Sequence, residues 1–287
     1  MTKQNPFSLY DFLGYLIPGA LLIYSYLIIE YFNSNSEFNL EQFIDITSKR
    51  NFDGVFMFIV LSYSLGHLLS FLSSITIEKF GNWKYGYPSK YLIGYNTANY
   101  WVKKEKNNFK KNINNNFGRF VIALIILPTS LLDLILGNIF GLRKYYQSNL
   151  DEFLIKSIKF KVNRLIKKLE LNNKKVIENF NAREHDFHRV VSHYAFENCK
   201  EHQFRMVNYV ALYGFLRNLS LIFNFLSWIY LIYIIKSINF NNEIDYFKIL
   251  ILILLMFISF VGFMAFMKFY RRYTLEGLML IVIDKDL

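Results

Sequence analysis

The apolar residues of this chain fall into four runs of about twenty positions, the length that an α-helix needs to cross a ~30 Å hydrocarbon core. Charged residues are concentrated between these runs, and no strand-like alternation of polar and apolar positions extends over any length. The pattern predicts an all-α, polytopic membrane protein with four transmembrane helices, over residues 10–29, 55–77, 219–235 and 247–267.

A fifth apolar run, residues 120–142, is long enough to span but contains Pro128 and Asp133. An Asp at a helix centre costs about 2.5–3.5 kcal/mol on insertion. The run is also flanked by basic segments, with nine Lys and Arg residues in 78–119 and fifteen in 143–218. A fifth span would put these segments on opposite sides of the membrane, against the positive-inside rule. We therefore expect a hairpin that bends near Pro128 and lies at or just under the membrane, or inside the cytoplasmic domain, with a fifth span as the alternative.

The distribution of charge orients the four spans. The formal net charge is +11, and 29 of the 33 Lys and Arg residues lie at the N-terminus, in residues 78–218 or in the C-terminal tail. The loops 33–54 and 237–246 carry two basic residues against six acids. Both termini are therefore expected in the cytoplasm. A high content of Asn, Lys, Ile and Phe is typical of an AT-rich bacterial genome, so the membrane would be the bacterial inner membrane.

This topology divides the chain into three units. Residues 1–77 form a first transmembrane hairpin, 78–218 a basic helical cytoplasmic domain, and 219–287 a second transmembrane hairpin with a cytoplasmic tail. Within the cytoplasmic domain, apolar residues recur at helical spacing over 150–169, after a capping box of Ser148 and Asp151.

A second helix of the cytoplasmic domain follows a similar cap signature at Asn181 and Glu184. No breaking residue follows before Gly214, so this helix can continue into the third span as one stalk of more than 50 residues. Four of its residues are histidines, at 185, 188, 193 and 202, but their spacing offers only two ligands to each helix face and predicts no metal site. We identify no catalytic motif and no cofactor site, and expect no enzyme.

Two clusters of basic residues suggest a phosphate-rich ligand. Lysine supplies positive charge to a phosphate backbone, and aromatic rings offer stacking faces for bases. A nucleotide or short oligonucleotide is one reading, and the positive-inside rule or contact with the anionic head groups of the lipid bilayer are the others. The candidate ligand residues are Trp101, Lys103, Lys104, Lys106, Lys110, Lys111, Lys167 and Lys168.

Polar residues within the predicted spans suggest a pathway through the membrane. Small residues allow close packing of membrane helices, whereas hydroxyls and an ionisable side chain are typical of a water-filled conduit. Both readings fit this set equally well. The candidate pore-lining residues are Ser62, Gly66, His67, Ser70 and Ser73 in the second span and Asn224 in the third.

Three short stretches resemble a group of bacterial membrane proteins, some of them encoded beside anti-phage defence genes. They are SLYDFLGYLIPG near the N-terminus, YGFLRNLSL from Tyr213 and KFYRRYTLEGL from Lys268. The layout is also similar to the Hailong-type channel effector of anti-phage defence, which a DNA oligomer is thought to hold shut. The resemblance implies a multi-pass membrane unit joined to a cytoplasmic nucleotide sensor.

These observations lead to two functional hypotheses. The first is a membrane channel or membrane-disrupting effector, regulated by a nucleotide or oligonucleotide, that forms a pore as a cyclic homo-oligomer such as a tetramer. The second is a non-conducting membrane scaffold or sensor that binds a protein partner through its cytoplasmic stalk.

Overall fold

The computed structural model describes residues 9–34, 41–42, 45, 52–101, 109–168, 181–183, 185–241 and 246–287, and in these residues there is no strand. The prediction of an all-α protein is confirmed. Four helical segments are long and apolar enough to cross a membrane, and each contains most or all of one predicted span: Phe12–Tyr31, Phe52–Tyr91, Lys200–Ile238 and Tyr246–Ile283.

The helices are numbered here in chain order. They are α1 (Ile17–Ser34), α2 (Phe52–Ser73), α3 (Lys79–Tyr85), α4 (Pro88–Tyr91), α5 (Phe109–Ile125), α6 (Leu127–Leu132), α7 (Lys144–Gln147), α8 (Glu152–Lys168), α9 (His188–Asn198), α10 (Gln203–Asn241) and α11 (Tyr246–Ile283). Residues Leu9–Asp11 and a π-helical turn, Phe12–Leu16, precede α1. Further π-helical turns, Ser74–Glu78 and Asp133–Ile139, follow α2 and α6.

Glycines bring the first two spans into direct backbone contact. A β-carbon on Gly19 would overlap the backbone of Ser62, and one on Gly66 would overlap the backbone of Tyr15. Membrane helices associate through such close packing because the lipid removes most of the hydrophobic driving force between them. Bulkier residues at these two positions would force α1 and α2 apart.

The long helices α10 and α11 pack against each other in antiparallel orientation. Gly262 of α11 lies against the backbone of Ser220, and the ring of Phe266 lies 6.3 Å from that of Tyr213. Both helices extend past their apolar parts, toward the end of the bundle that α3, α8 and α9 also occupy. We call this the domain end of the molecule.

The apolar run 120–142 forms a bent hairpin against this pair. Helices α5 and α6 meet at Ile126 with an angle of 93° between residues 115–125 and 127–139. Pro128 lies in the first turn of α6, where its missing N–H removes no helical hydrogen bond. The first arm contacts residues 99–100 through Arg119, and the second contacts Lys84 through Asp133. Both arms therefore return to the domain end.

A second core at the domain end is built around the last turns of α11. Leu278, Ile281 and Leu287 are buried there against Ile158 and Val162 of α8. Residues on both sides of the 218/219 boundary thus share one core, which the division into three sequence units did not anticipate.

Two local features differ from the sequence-based expectation. Helix α8 begins at Glu152, and Asp151 rather than Ser148 caps it, because its carboxylate accepts a hydrogen bond of 3.0 Å from the Leu154 N–H. The expected stalk is interrupted at Cys199, whose φ of −104° and ψ of 64° end α9. Helix α10 then starts at Gln203 and runs uninterrupted into the third span.

Candidate functional site

A polar cluster surrounds the bend of the hairpin. The Asn224 amide donates a hydrogen bond of 2.5 Å to the Thr129 hydroxyl, which lies 2.6 Å from the Ser259 hydroxyl. Ser259 in turn donates to the backbone oxygen of Ser220 at 2.7 Å. These residues are buried, and they join α6, α10 and α11 at one point.

This cluster lies at the level of the middle of the third and fourth spans. Asn224 is near the centre of the predicted span 219–235, and Ser259 is near the centre of 247–267. The indole of Trp228 donates a hydrogen bond of 2.9 Å to the Ile125 carbonyl at the helix break. The tip of the hairpin therefore reaches about halfway along the apolar part of the bundle, deeper than the expected position at or just under the membrane, because its polar groups find partners on α10 and α11.

Some polar atoms at this depth lack a partner. Among the described residues, no hydrogen-bond partner lies near the Asn224 carbonyl oxygen, the Ser220 hydroxyl or the Ser62 hydroxyl, and all three atoms are buried. An unsatisfied buried polar group costs roughly 1–3 kcal/mol on protein mutational scales. A state that admits water to these atoms would recover part of that cost.

The second arm of the hairpin is fastened by a buried carboxylate. Asp133 forms an ion pair of 2.6 Å with Lys84 and accepts a hydrogen bond of 2.5 Å from the Tyr85 hydroxyl. Gly137 leaves room for this carboxylate, since a β-carbon there would lie 2.5 Å from its oxygen. Arg143 lies over the Tyr85 ring and donates to the Lys84 carbonyl.

An ion pair joins α10 to the π turn that follows α2 at the domain end of the bundle. The Arg217 guanidinium contacts the Glu78 carboxylate and donates to the Ser73 hydroxyl at 3.0 Å and the Ser70 carbonyl at 3.2 Å. The neighbouring Asn218 donates to the Gly14 carbonyl at 2.9 Å, so α10, α2 and the turn before α1 are tied together. We call this network the Arg217–Glu78 latch.

A cavity of about 640 Å³ lies beside the latch at the domain end. Glu78 forms part of its wall, so a molecule bound there would contact one partner of the ion pair. Four tyrosines and two histidines give the cavity an aromatic lining, with Arg189 and Ser192 as further polar groups. With Phe196, the aromatic set is Tyr10, Tyr213, Tyr270, Tyr273, His188 and His193.

The two histidines of this cavity have different surroundings. His188 packs with its ring 5.9 Å from that of Tyr273, and burial lowers the pKa of His188 to about 4. It is therefore a neutral hydrogen-bonding group at pH 7. His193 and Arg189 are exposed on the same helix, and Arg189 forms an ion pair of 3.1 Å with Asp186.

The candidate pore-lining residues lie in different environments and do not line one common path in this chain. Ser62, Gly66 and Ser73 are buried between helices, and the Asn224 amide binds the hairpin. Ser70 accepts hydrogen bonds from Arg217. His67 is an exposed residue whose ring stacks on that of Tyr15 at 3.8 Å. In this chain alone, the stripe on α2 is mainly a packing face, and Asn224 belongs to the hairpin cluster.

The candidate ligand residues are divided between two regions. Lys103, Lys104 and Lys106 lie outside the described residues; Lys110 and Lys111 are in the first turn of α5, with side chains outside the description. Trp101 is exposed and packs edge-on against Tyr100. Lys167 and Lys168 lie in the last turn of α8, where Lys168 donates to the Asp286 carbonyl at 3.0 Å.

Sequence reasoning missed the pair of residues that fastens the hairpin and the pair that forms the latch. Arg217 and Glu78 lie 139 positions apart, and Asp133 and Tyr85 lie 48 apart, so no local spacing relates them. A usable signal was present, because isolated charges next to long apolar runs usually pair inside a membrane bundle.

Comparisons with protein-family models, with curated proteins and with solved structures find no match to this chain. The fold itself defines the class: an all-α protein whose four long apolar helices fit a multi-pass membrane protein, with a bent hairpin packed against the second pair.

Proposed function

We propose that this protein is a gated membrane channel, and that the tip of the hairpin lines its conduit. The observation that carries the proposal is the helix break at Ile126, which lies at mid-span level beside the polar cluster of Thr129, Asn224 and Ser259. Broken helices at membrane depth occur where the backbone is buried in protein or lines a water-filled cavity. The buried atoms without partners favour the second alternative in an open state.

The Arg217–Glu78 latch holds the conduit closed in this proposal. It joins the two transmembrane hairpins at the domain end, so the α1–α2 pair cannot move away from α10 while it is intact. The Glu78 side chain is 28% exposed and that of Arg217 11%, so removing one partner costs less than the about 3–5 kcal/mol of a fully buried pair but still shifts a conformational equilibrium. Neutralising the more exposed partner, Glu78, by Glu78→Gln should weaken the latch while a side chain of similar size stays in place.

The cavity beside the latch is the regulatory site in this proposal, and its ligand is a nucleotide. Aromatic faces in its lining suit a base, while Arg189 and His193 can receive a phosphate. Because Glu78 lines the cavity, a bound molecule would change the surroundings of the ion pair directly. The ligand site thus differs from the lysine clusters that the sequence suggested.

The charge distribution supports an arrangement in the bacterial inner membrane with both termini and the domain end in the cytoplasm. A chain of four spans would form its pore as a cyclic homo-oligomer. The resemblance to anti-phage channel effectors suggests a role in defence, with release of ions as the toxic output.

Potassium flux from proteoliposomes tests the gating step. Glu78→Gln should release potassium several-fold faster than the wild type at equal protein density, because its amide interacts with Arg217 more weakly. Glu276→Gln is the matched control, since Glu276 pairs with Arg205 and His202 farther along α11. If Glu78→Gln is no more permeable than Glu276→Gln, the latch does not gate a conduit, and the scaffold hypothesis gains support.

Thermal stability with added nucleotides tests the ligand step. Val207 lies in the cavity wall, whereas Phe204 lies on the exposed side of the same helix. A nucleoside monophosphate or dinucleotide that raises the melting temperature of the wild type should fail with Val207→Trp, which fills the cavity, and still act on Phe204→Trp. Equal shifts in both variants would place the nucleotide elsewhere.

A further inference from the structure

A second cavity opens between the arms of the hairpin and the segment 98–101. Its volume is about 470 Å³, and its walls have two different characters. Ala123 and Leu134 of the hairpin form a mainly apolar side that also includes Ser130, whereas Lys84 and Arg143 form a basic floor. Trp101 and Tyr100 border the floor.

The level of this cavity coincides with the edge of the apolar part of the bundle. Tyr85, next to Lys84, contacts the Met264 sulfur through its hydroxyl at 3.5 Å. Helix α11 changes from apolar to basic a few residues later, at Lys268, Arg271 and Arg272. The basic floor therefore lies where the head groups of a surrounding membrane would be, and the apolar side lies deeper.

The outer face of the hairpin continues the apolar side of the cavity. Its exposed side chains form a surface that suits contact with acyl chains rather than water. Trp101, which is 51% exposed, stands at the head-group level that tryptophan commonly occupies. The exposed apolar residues are Phe117, Phe120, Leu124, Leu127, Leu131 and Leu134.

The charge of the floor selects an anion. Lys84 and Arg143 contribute two positive charges, and the buried Asp133, which pairs with Lys84, contributes one negative charge. In the described part of the chain, Arg143 uses Nε for Gln147 and Nη2 for the Lys84 carbonyl, which leaves Nη1 for another acceptor. Asn99 and Asn138 add neutral hydrogen-bonding groups at the rim.

We propose that this cavity binds the phosphate head group of an anionic phospholipid, with the acyl chains lying along the exposed face of the hairpin. Basic pockets between membrane helices are suited to such head groups. The two-sided lining is the central reason, since a soluble phosphate would gain nothing from the apolar wall. The lipid would hold both arms of the hairpin at once, and this inference does not depend on the protein conducting ions.

Lipid-dependent thermal stability in delipidated detergent micelles tests the proposal. Phosphatidylglycerol should raise the melting temperature of the wild type by several degrees, and phosphatidylcholine should have a much smaller effect. Asn138→Glu adds a negative charge at the rim without removing a contact of the floor, and should weaken the apparent affinity for phosphatidylglycerol at least fivefold. Asn138→Gln, of similar size and neutral, should behave as the wild type.

Each other outcome overturns the assignment. Equal stabilisation by phosphatidylcholine would show that charge is not recognised. An equal shift with millimolar glycerol 3-phosphate would identify a site for free phosphate instead of lipid. If Asn138→Glu responds to phosphatidylglycerol as Asn138→Gln does, the lipid binds outside this cavity. Native mass spectrometry of the wild type with each lipid, and of both Asn138 variants with phosphatidylglycerol, counts bound lipids and separates loss of binding from loss of folding.

Discussion

Gly66 illustrates how one side-chain position determines the contact between two spans. Because a β-carbon there would overlap the Tyr15 backbone, the π-helical turn before α1 must move away from α2 to accept even alanine. We expect Gly66→Ala to lower the free energy of unfolding by about 1–3 kcal/mol, the usual cost of overpacking. Thermal unfolding in detergent measures this change.

Gly214 provides the matched control. It lies within α10, and a β-carbon there would meet nothing within 4 Å. Gly214→Ala should therefore stabilise the helix by roughly 0.5–1 kcal/mol. If both alanine variants unfold at the temperature of the wild type, the close backbone contact between the first two spans at Gly66 and Tyr15 is wrong.

His188 predicts a dependence of stability on pH. Its pKa is about 4 in the folded protein, against about 6.5 in an unfolded chain, so the unfolded state binds more protons between these values. The stability contributed by neutral His188 is fully present above pH 6.5 and is lost as the pH falls toward 4, by on the order of 3 kcal/mol.

Unfolding temperatures at pH 7 and pH 5 measure this effect. His188→Gln should reduce the difference between the two pH values, because its side chain does not titrate. His193→Gln, on an exposed position of the same helix, should leave the difference as in the wild type. An unchanged difference in His188→Gln would show that another group causes the pH dependence.

The four long helices were predictable because the length and apolar character of a membrane span are local properties of the sequence. Contacts between residues distant in the chain were not predictable, since the pairing of Arg217 with Glu78 depends on how α10 packs against α2. The break at Cys199 also escaped detection, because no Gly or Pro marks it. The stripe from Ser62 to Ser73 illustrates a remaining ambiguity, since small residues suit both packing and a conduit.

The hairpin of α5 and α6 depends on a few hydrogen bonds at its tip. Thr129→Val preserves the shape of the side chain but removes its bonds to Asn224 and Ser259. Interhelical hydrogen bonds in membrane proteins contribute about 0.6 kcal/mol on average and up to about 1.7. We therefore expect a loss of about 1 kcal/mol in unfolding free energy, measured by thermal unfolding in detergent.

Thr129→Ser separates the hydroxyl from the methyl group at this position. It retains the hydrogen-bonding oxygen, so its loss of unfolding free energy should be no more than about half of the loss for Thr129→Val. A serine variant that is as unstable as the valine variant would mean that the methyl packing, and not the polar cluster, holds the tip.

The topology of the full chain determines which side of the membrane the hairpin enters. A reporter active only outside the cytoplasm should be active when fused after Asp53 or Asp245, because their loops are acidic. Fused after Asn149 or Asn181, it should be silent. Activity at Asn149 or Asn181 would mean that residues 120–142 cross the membrane completely.

Conductance with a reporter cysteine at the hairpin tip tests the channel proposal most directly. In a Cys199→Ser, Glu78→Gln background, Thr129→Cys places the only thiol beside Asn224, and Leu131→Cys places it on the exposed face of the same helix. In planar bilayers, a charged, water-soluble thiol reagent should block the current of Thr129→Cys and spare that of Leu131→Cys. Equal insensitivity of both currents, or no current from either protein, would contradict a conduit at the hairpin.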